Sequence, residues 1–161
     1  MKTRRMVTLV AAVLCLSGLA AAQQIIDFSG LPLTGAPLPI PSGYAGMNWN
    51  DLWYTTLRFT EGIRNVAVPA FGSGAQSMNA ANPAQPFQLL GLAVKGDYGS
   101  TLTLYVYNKG GFTGSQSYAL APVFTPLRTP LDWGEITQVT FVCRDAQQRP
   151  ANFNLYSLTL R

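Results

Sequence analysis

The chain has no histidine among its 161 residues, and that absence excludes more chemistry than any motif supplies. A Ser-His-Asp triad, a Cys-His pair and a His-ligated zinc site all require an imidazole. Walker A and dinucleotide fingerprints are missing too, and the isolated Gly72-Ser73-Gly74 has no helical pattern after it. Charge is scarce: Asp, Glu, Lys and Arg together make up 11% of the residues, while Asn, Gln, Ser and Thr are plentiful. Such a surface is polar without being ionic, as is common among extracellular β proteins that meet neutral ligands. No Asn-x-Ser/Thr sequon occurs, so N-glycosylation is not expected.

What is present begins with a leader. Lys2, Arg4 and Arg5 precede an apolar run from Met6 to Leu16, and Ala20-Ala21-Ala22 offers small residues for cleavage before Gln23. This is the layout of a secretory signal peptide, and the run is too short for the ~20 residues that a membrane-spanning helix needs. We therefore expect a signal peptide over residues 1–22 and one secreted domain over residues 23–161, with no membrane anchor. Three of the 11 basic residues lie in the leader and none of the seven acidic ones do. The domain thus carries eight against seven. Its basic residues are spread singly instead of clustering on one face, which argues against nucleic acid as a partner.

Cysteine is nearly absent as well. Cys15 leaves with the leader, so Cys143 has no intramolecular partner and the fold must rely on packing. In Val139-Thr140-Phe141-Val142-Cys143 it alternates in phase with Val139 and Phe141, which reads as a buried thiol. An intermolecular bridge and a reactive thiol are the alternatives.

The body reads as strands and loops. Strands are expected over 25–28, 52–59, 65–68, 87–95, 101–108, 117–121, 123–127, 136–143 and 153–160. The clearest is 101–108, where Leu102, Leu104 and Val106 point one way and Thr101, Thr103, Tyr105 and Tyr107 the other. Four prolines make 31–41 an extended surface connection. The Gly-, Ser-, Ala- and Asn-rich stretch from Pro69 to Pro86 reads as a long loop. In the last strand, Phe153 and Leu155 share a phase that Leu158 and Leu160 reverse, which requires a bulge near Tyr156 or Ser157 or burial of both faces. The fold class that follows is all-β: a two-layer antiparallel β-sandwich of jelly-roll type.

Ile26-Asp27-Phe28, followed by Pro41-Ser42-Gly43-Tyr44-Ala45-Gly46-Met47-Asn48-Trp49-Asn50, resembles the opening of secreted bacterial and fungal β-sandwich proteins of the PEP-CTERM-associated type. These show a GYxGxNW segment after a first strand. They also have a later hairpin, here 104–111, and an ending similar to Val139-Thr140-Phe141 with 153–158. The sorting tail and the usual Asp-Asn near the end are absent here. The resemblance implies a sandwich fold and secretion more than an activity.

Sugar recognition needs apolar rings for pyranose C–H faces and amides or carboxylates for hydroxyls. Tyr44, Asn48, Trp49, Asn50, Asp51, Trp53 and Tyr54 supply these types in one short segment, and an extended chain would put Trp49, Asp51 and Trp53 on one face. Core use is the alternative: Trp49 can plug the sandwich end, with Gly43 and Gly46 permitting a tight turn. Tyr105 and Tyr107 form a second candidate platform. No cofactor is expected, although Asp27 or Asp51 could help to hold calcium. Asp132 and Glu135 are a candidate carboxylate pair that also reads as a polar turn.

Three functions follow. The first is a non-catalytic binding protein for extracellular or cell-wall carbohydrate. The second is a microbial effector contacting a host protein, and the third a carboxylate-dependent glycoside hydrolase. An exposed aromatic strip in a groove would favour the first; two carboxylates converging in a cleft would favour the last.

Overall fold

A computed structural model describes residues 22–60, 62–70 and 74–161. All of the leader except Ala22 therefore lies outside the described residues. The chain forms strands β1 (Gln24–Ile26), β2 (Leu38–Pro39), β3 (Met47–Asn50), β4 (Leu52–Phe59), β5 (Gly62–Pro69) and β6 (Gln76–Ala80). The remainder are β7 (Leu89–Gly96), β8 (Thr101–Asn108), β9 (Gly111–Ala119), β10 (Thr125–Arg128), β11 (Gln138–Arg144) and β12 (Phe153–Leu160). Two single 3₁₀ turns, Tyr44–Gly46 and Leu131–Trp133, are the helical elements among the described residues.

The strands pair antiparallel in two sheets. A seven-stranded sheet runs β10-β7-β12-β5-β4-β2, with β1 also paired to β12, and a five-stranded sheet runs β3-β6-β11-β8-β9. From β5 to β12 the chain changes sheet at every connection except the β8–β9 hairpin. The resulting orders, β5-β12-β7-β10 facing β6-β11-β8-β9, are those of an eight-stranded jelly roll. Strands β1 to β4 extend this frame at its margins.

Alternation explains why these residues form these layers. In β8, Leu102, Leu104 and Val106 are fully buried while the residues between them are not. In β11, Val139, Phe141 and Cys143 do the same. Their counterparts across the layer include Leu92, Val94, Phe153, Leu155, Leu158 and Leu160, and Phe141 stacks on Phe153 at 6.1 Å between ring centres. The phase reversal in β12 is a bulge: its register with β7 shifts between Leu155 and Ser157, so both hydrophobic pairs face inward.

Most strand ends shift by one to three residues; the larger departures are three, the first being β3 (Met47–Asn50), which was not expected as a strand. The stretch from Pro69 to Pro86 contains β6, which lies between β3 and β11 and bonds to both. Its inward residues are Gln76, Met78 and Ala80, so one large apolar side chain is all that advertises it. Strand β9 starts at Gly111, well before Ser117, because main-chain pairing with β8 holds a strand whose side chains are almost all exposed. The proline-rich connection is extended as expected, and its Leu38–Pro39 segment pairs with the margin of β4, where proline is tolerated.

Asn65, 2% exposed, ties that connection down. Its Nδ2 donates to the Leu31 carbonyl at 2.7 Å and the Pro32 carbonyl at 3.2 Å, and its Oδ1 accepts from Thr56 Oγ1 at 2.6 Å. Asn65→Ala strands these partners in a buried setting. It is expected to lower unfolding stability by about 1–3 kcal/mol, read as a lower denaturant midpoint at unchanged slope. A midpoint equal to that of the parent would show that the connection is held elsewhere.

Candidate functional site

The aromatic and Asn-rich segment does not stay together. Strand β3 belongs to the five-stranded sheet and β4 to the seven-stranded one, and Asp51 joins them with a left-handed φ of 55°. Simple alternation is broken there: Trp49 and Leu52, three residues apart, both point inward. Trp49, Asp51 and Trp53 therefore do not share a face, contrary to the extended-chain expectation. Asp51 is exposed at the corner, and Trp53 emerges on the outer face of the other sheet with 36% exposure.

Trp49 and Tyr54 are buried at 8% and 4% exposure. Trp49 closes a corner of the sandwich: its ring meets Phe28 edge-on at 5.6 Å, and its Nε1 donates to the Tyr44 carbonyl at 3.0 Å. Tyr44 is half-buried and stacks on Phe28 at 6.2 Å, and burial pushes its phenol above the ordinary value. Gly43 and Gly46, with φ of 79° and 77°, make the tight turn that brings Tyr44 back over Phe28. These three rings serve the scaffold.

Asn48 and Asn50 face outward on the five-stranded sheet, where the register places them in two polar rows. Asn48 lies opposite Asn79, then Gln138, Tyr107 and Phe112. Asn50 leads to Ser77, Thr140, Tyr105 and Ser115. A shorter third row has Val142, Thr103 and Ser117. None of these carries a charge, and Arg144 stands beyond them at the strand end. At a spacing of 4.7–4.9 Å per strand the face is about 19 Å wide. Side-chain amides and hydroxyls already order one another: Asn50 Nδ2 donates to Ser77 Oγ at 3.1 Å and Asn79 Oδ1 at 3.0 Å, and Asn48 Oδ1 accepts from Ser42 Oγ at 2.8 Å. At the far side Phe112, 61% exposed, packs against Tyr107 at 5.8 Å and Tyr105 at 6.5 Å.

The outer face of the seven-stranded sheet is different. Trp53 opens on a cleft of about 430 Å³ lined by Pro37, Thr55, Val68, Pro69 and residues 152–154. Further along, Phe59, Phe124 and Tyr156 form a cluster with centres 5.2–6.2 Å apart. The sequence marked Tyr105 and Tyr107 by their polar-face phase. It held no comparable signal for Phe112, Asn79, Gln138 or Tyr156, whose neighbours come from distant strands.

The remaining polar candidates are engaged locally. Asp27 accepts from Ser29 Oγ at 2.7 Å and Ser29 N at 3.1 Å, which holds its carboxyl below the ordinary value. Among the described residues no three Asp, Glu, His or Cys side chains converge as a cation site would require. Asp132 lies in the 3₁₀ turn Leu131–Trp133, whose Trp133 is buried against Gly114; a Cβ there would lie 3.0 Å from the indole nitrogen. Glu135 lines a cleft with Asn108, Lys109 and Thr137 and is its one carboxylate.

No family model matches the chain, and no characterised protein matches its sequence. Solved structures do share its outline. A family 29 carbohydrate binding module is 15% identical, with 86% of each chain covered and a TM-score of 0.47. A family two carbohydrate esterase from Cellvibrio japonicus is 13% identical over 86% of this chain, with a TM-score of 0.43. This chain spans 33% of the esterase's length. Both scores fall below 0.5, too distant to transfer a ligand.

Cys143 is 3% exposed, and burial pushes its thiol up to about 11. Its Sγ sits 3.8 Å from the Asn152 carbonyl. The thiol stays neutral through the physiological range, and thiolate appears only as pH approaches the raised value. In the chain starting at Gln23, a thiol reagent at about pH 8 should label Cys143 only after unfolding. Rapid labelling of the native protein would contradict this burial.

Proposed function

We propose that this is a secreted, non-catalytic protein that binds neutral polysaccharide through the outer face of its five-stranded sheet. The observation that carries this reading is the chemistry of that face: about a dozen outward positions without charge, and three aromatic rings at one side. Asn and Gln amides offer both donors and acceptors, as do Ser and Thr hydroxyls, which suits sugar hydroxyls. Tyr105, Tyr107 and Phe112 supply rigid apolar area for pyranose C–H faces. The leader-like start and the resemblance to secreted sandwich proteins support export. Glu135 is the one carboxylate lining its cleft, which lends no support to paired-carboxylate hydrolysis there.

Pull-down on a panel of insoluble cellulose, mannan and xylan tests the reading. Retention is expected on at least one, and Tyr105→Ala combined with Tyr107→Ala should weaken it by at least about tenfold. Trp53→Ala, on the other sheet, should leave it unchanged. No retention on any of the three, or full retention by the tyrosine pair, would overturn the assignment and favour recognition of a protein surface.

A further inference from the structure

The outer face of the seven-stranded sheet contrasts with its neutral counterpart. Here cations stand over half-buried rings. Arg64 Cζ lies 5.5 Å from the centre of Tyr156, and an Nη1 of the same guanidinium donates to the Tyr156 hydroxyl. Lys95 Nζ lies 5.1 Å from the centre of Phe124. The strand register explains the gathering. Arg64 faces Leu57 on β4, Lys95 faces Asn154 on β12, and Tyr156 projects from the β12 bulge between them.

Neither cation has a carboxylate within ion-pair distance among the described residues, where the ion pair is Arg149 with Asp145. Asp27 feels the charge of Arg64 without ion-pair contact, and its Oδ1 accepts from both Ser29 N and Ser29 Oγ. Glu61, which falls between β4 and β5 in the sequence, lies outside the described residues. A ring attracts a cation without neutralising it, and Arg64 retains donors suited to a two-pronged carboxylate contact. A neutral pyranose would have to displace these cations to reach the rings. An anionic sugar would meet them where they stand.

We propose that this face is a second, separate binding site, and that it takes a carboxylated polysaccharide of the uronic-acid type. Arg64 and Lys95 pair with carboxylates, while Phe59, Phe124 and Tyr156 carry the sugar rings between them. Trp53 lies six residues back along β4, about 20 Å away, in the cleft that also presents Asn152 and Asn154. That length suits a polymer better than a single sugar.

The test uses polygalacturonate and its fully methyl-esterified form, the same backbone with its charge removed. Binding by the chain starting at Gln23 is measured by affinity electrophoresis at about 0.05 M and about 0.5 M salt. Binding is expected to the acid and not to the ester, weakening with salt. Arg64→Gln with Lys95→Gln should lose at least about tenfold, while Arg64→Lys with Lys95→Arg retains most of it. The ester comparison uses the parent chain and decides the matter even if the double variant does not fold. Equal binding to acid and ester, no binding to either, or equal competition by RNA or by anionic lipid vesicles would overturn the proposal. The Tyr105 and Tyr107 variants read the neutral face independently, so failure of one site is distinguishable from failure of the other.

Discussion

Burial of two inner sheet faces against each other is the constraint from which the rest of this molecule follows. Among the described residues Cys143 is the one cysteine and is free, so there the layers are joined by side-chain packing such as that of Phe141 on Phe153. Each buried apolar side chain contributes on the order of 1.5–3 kcal/mol. The cost is regularity: nearly every second residue of each central strand is committed to the core. Where a strand would fall out of phase, as β12 does, a bulge at Tyr156 restores it. That same bulge sets Tyr156 outward among Phe59 and Phe124, so a packing correction also shapes the surface.

The corner at Asp51 has comparable reach. By passing the chain from one sheet to the other in a left-handed residue, it turns one aromatic segment into three environments. Trp49 closes the sandwich over Phe28, Asn48 and Asn50 join a polar face, and Trp53 opens on the opposite surface. The density of aromatic and amide residues there reflects a junction between layers as much as a ligand site.

The halves of the strands that do not pack are left free to differ, and they do. The five-stranded sheet presents amides, hydroxyls and tyrosines without charge, while the seven-stranded sheet presents rings overlaid by Arg64 and Lys95. A sandwich permits this because its two outer faces share a core but no surface. One fold can therefore display two chemistries that do not interfere.

Local pattern made much of the architecture legible. Strands β4, β8 and β12 match the expected ranges to the residue, because each alternates or carries dense β-branched and aromatic content. The reversal of hydrophobic phase in β12 was legible, though not whether a bulge or burial of both faces resolves it, and Tyr105 and Tyr107 were legible as members of a polar face. β6 and β9 were not, since Met78 alone marks the first and the second buries almost nothing. Composition and two-residue periodicity, which are local properties, were enough to read the chain as all-β and without imidazole chemistry. Which side chains meet on a face depends on how distant strands pair. Rows such as Asn48-Asn79-Gln138-Tyr107-Phe112 arise from hydrogen-bond register between strands far apart in the chain, which no local pattern encodes.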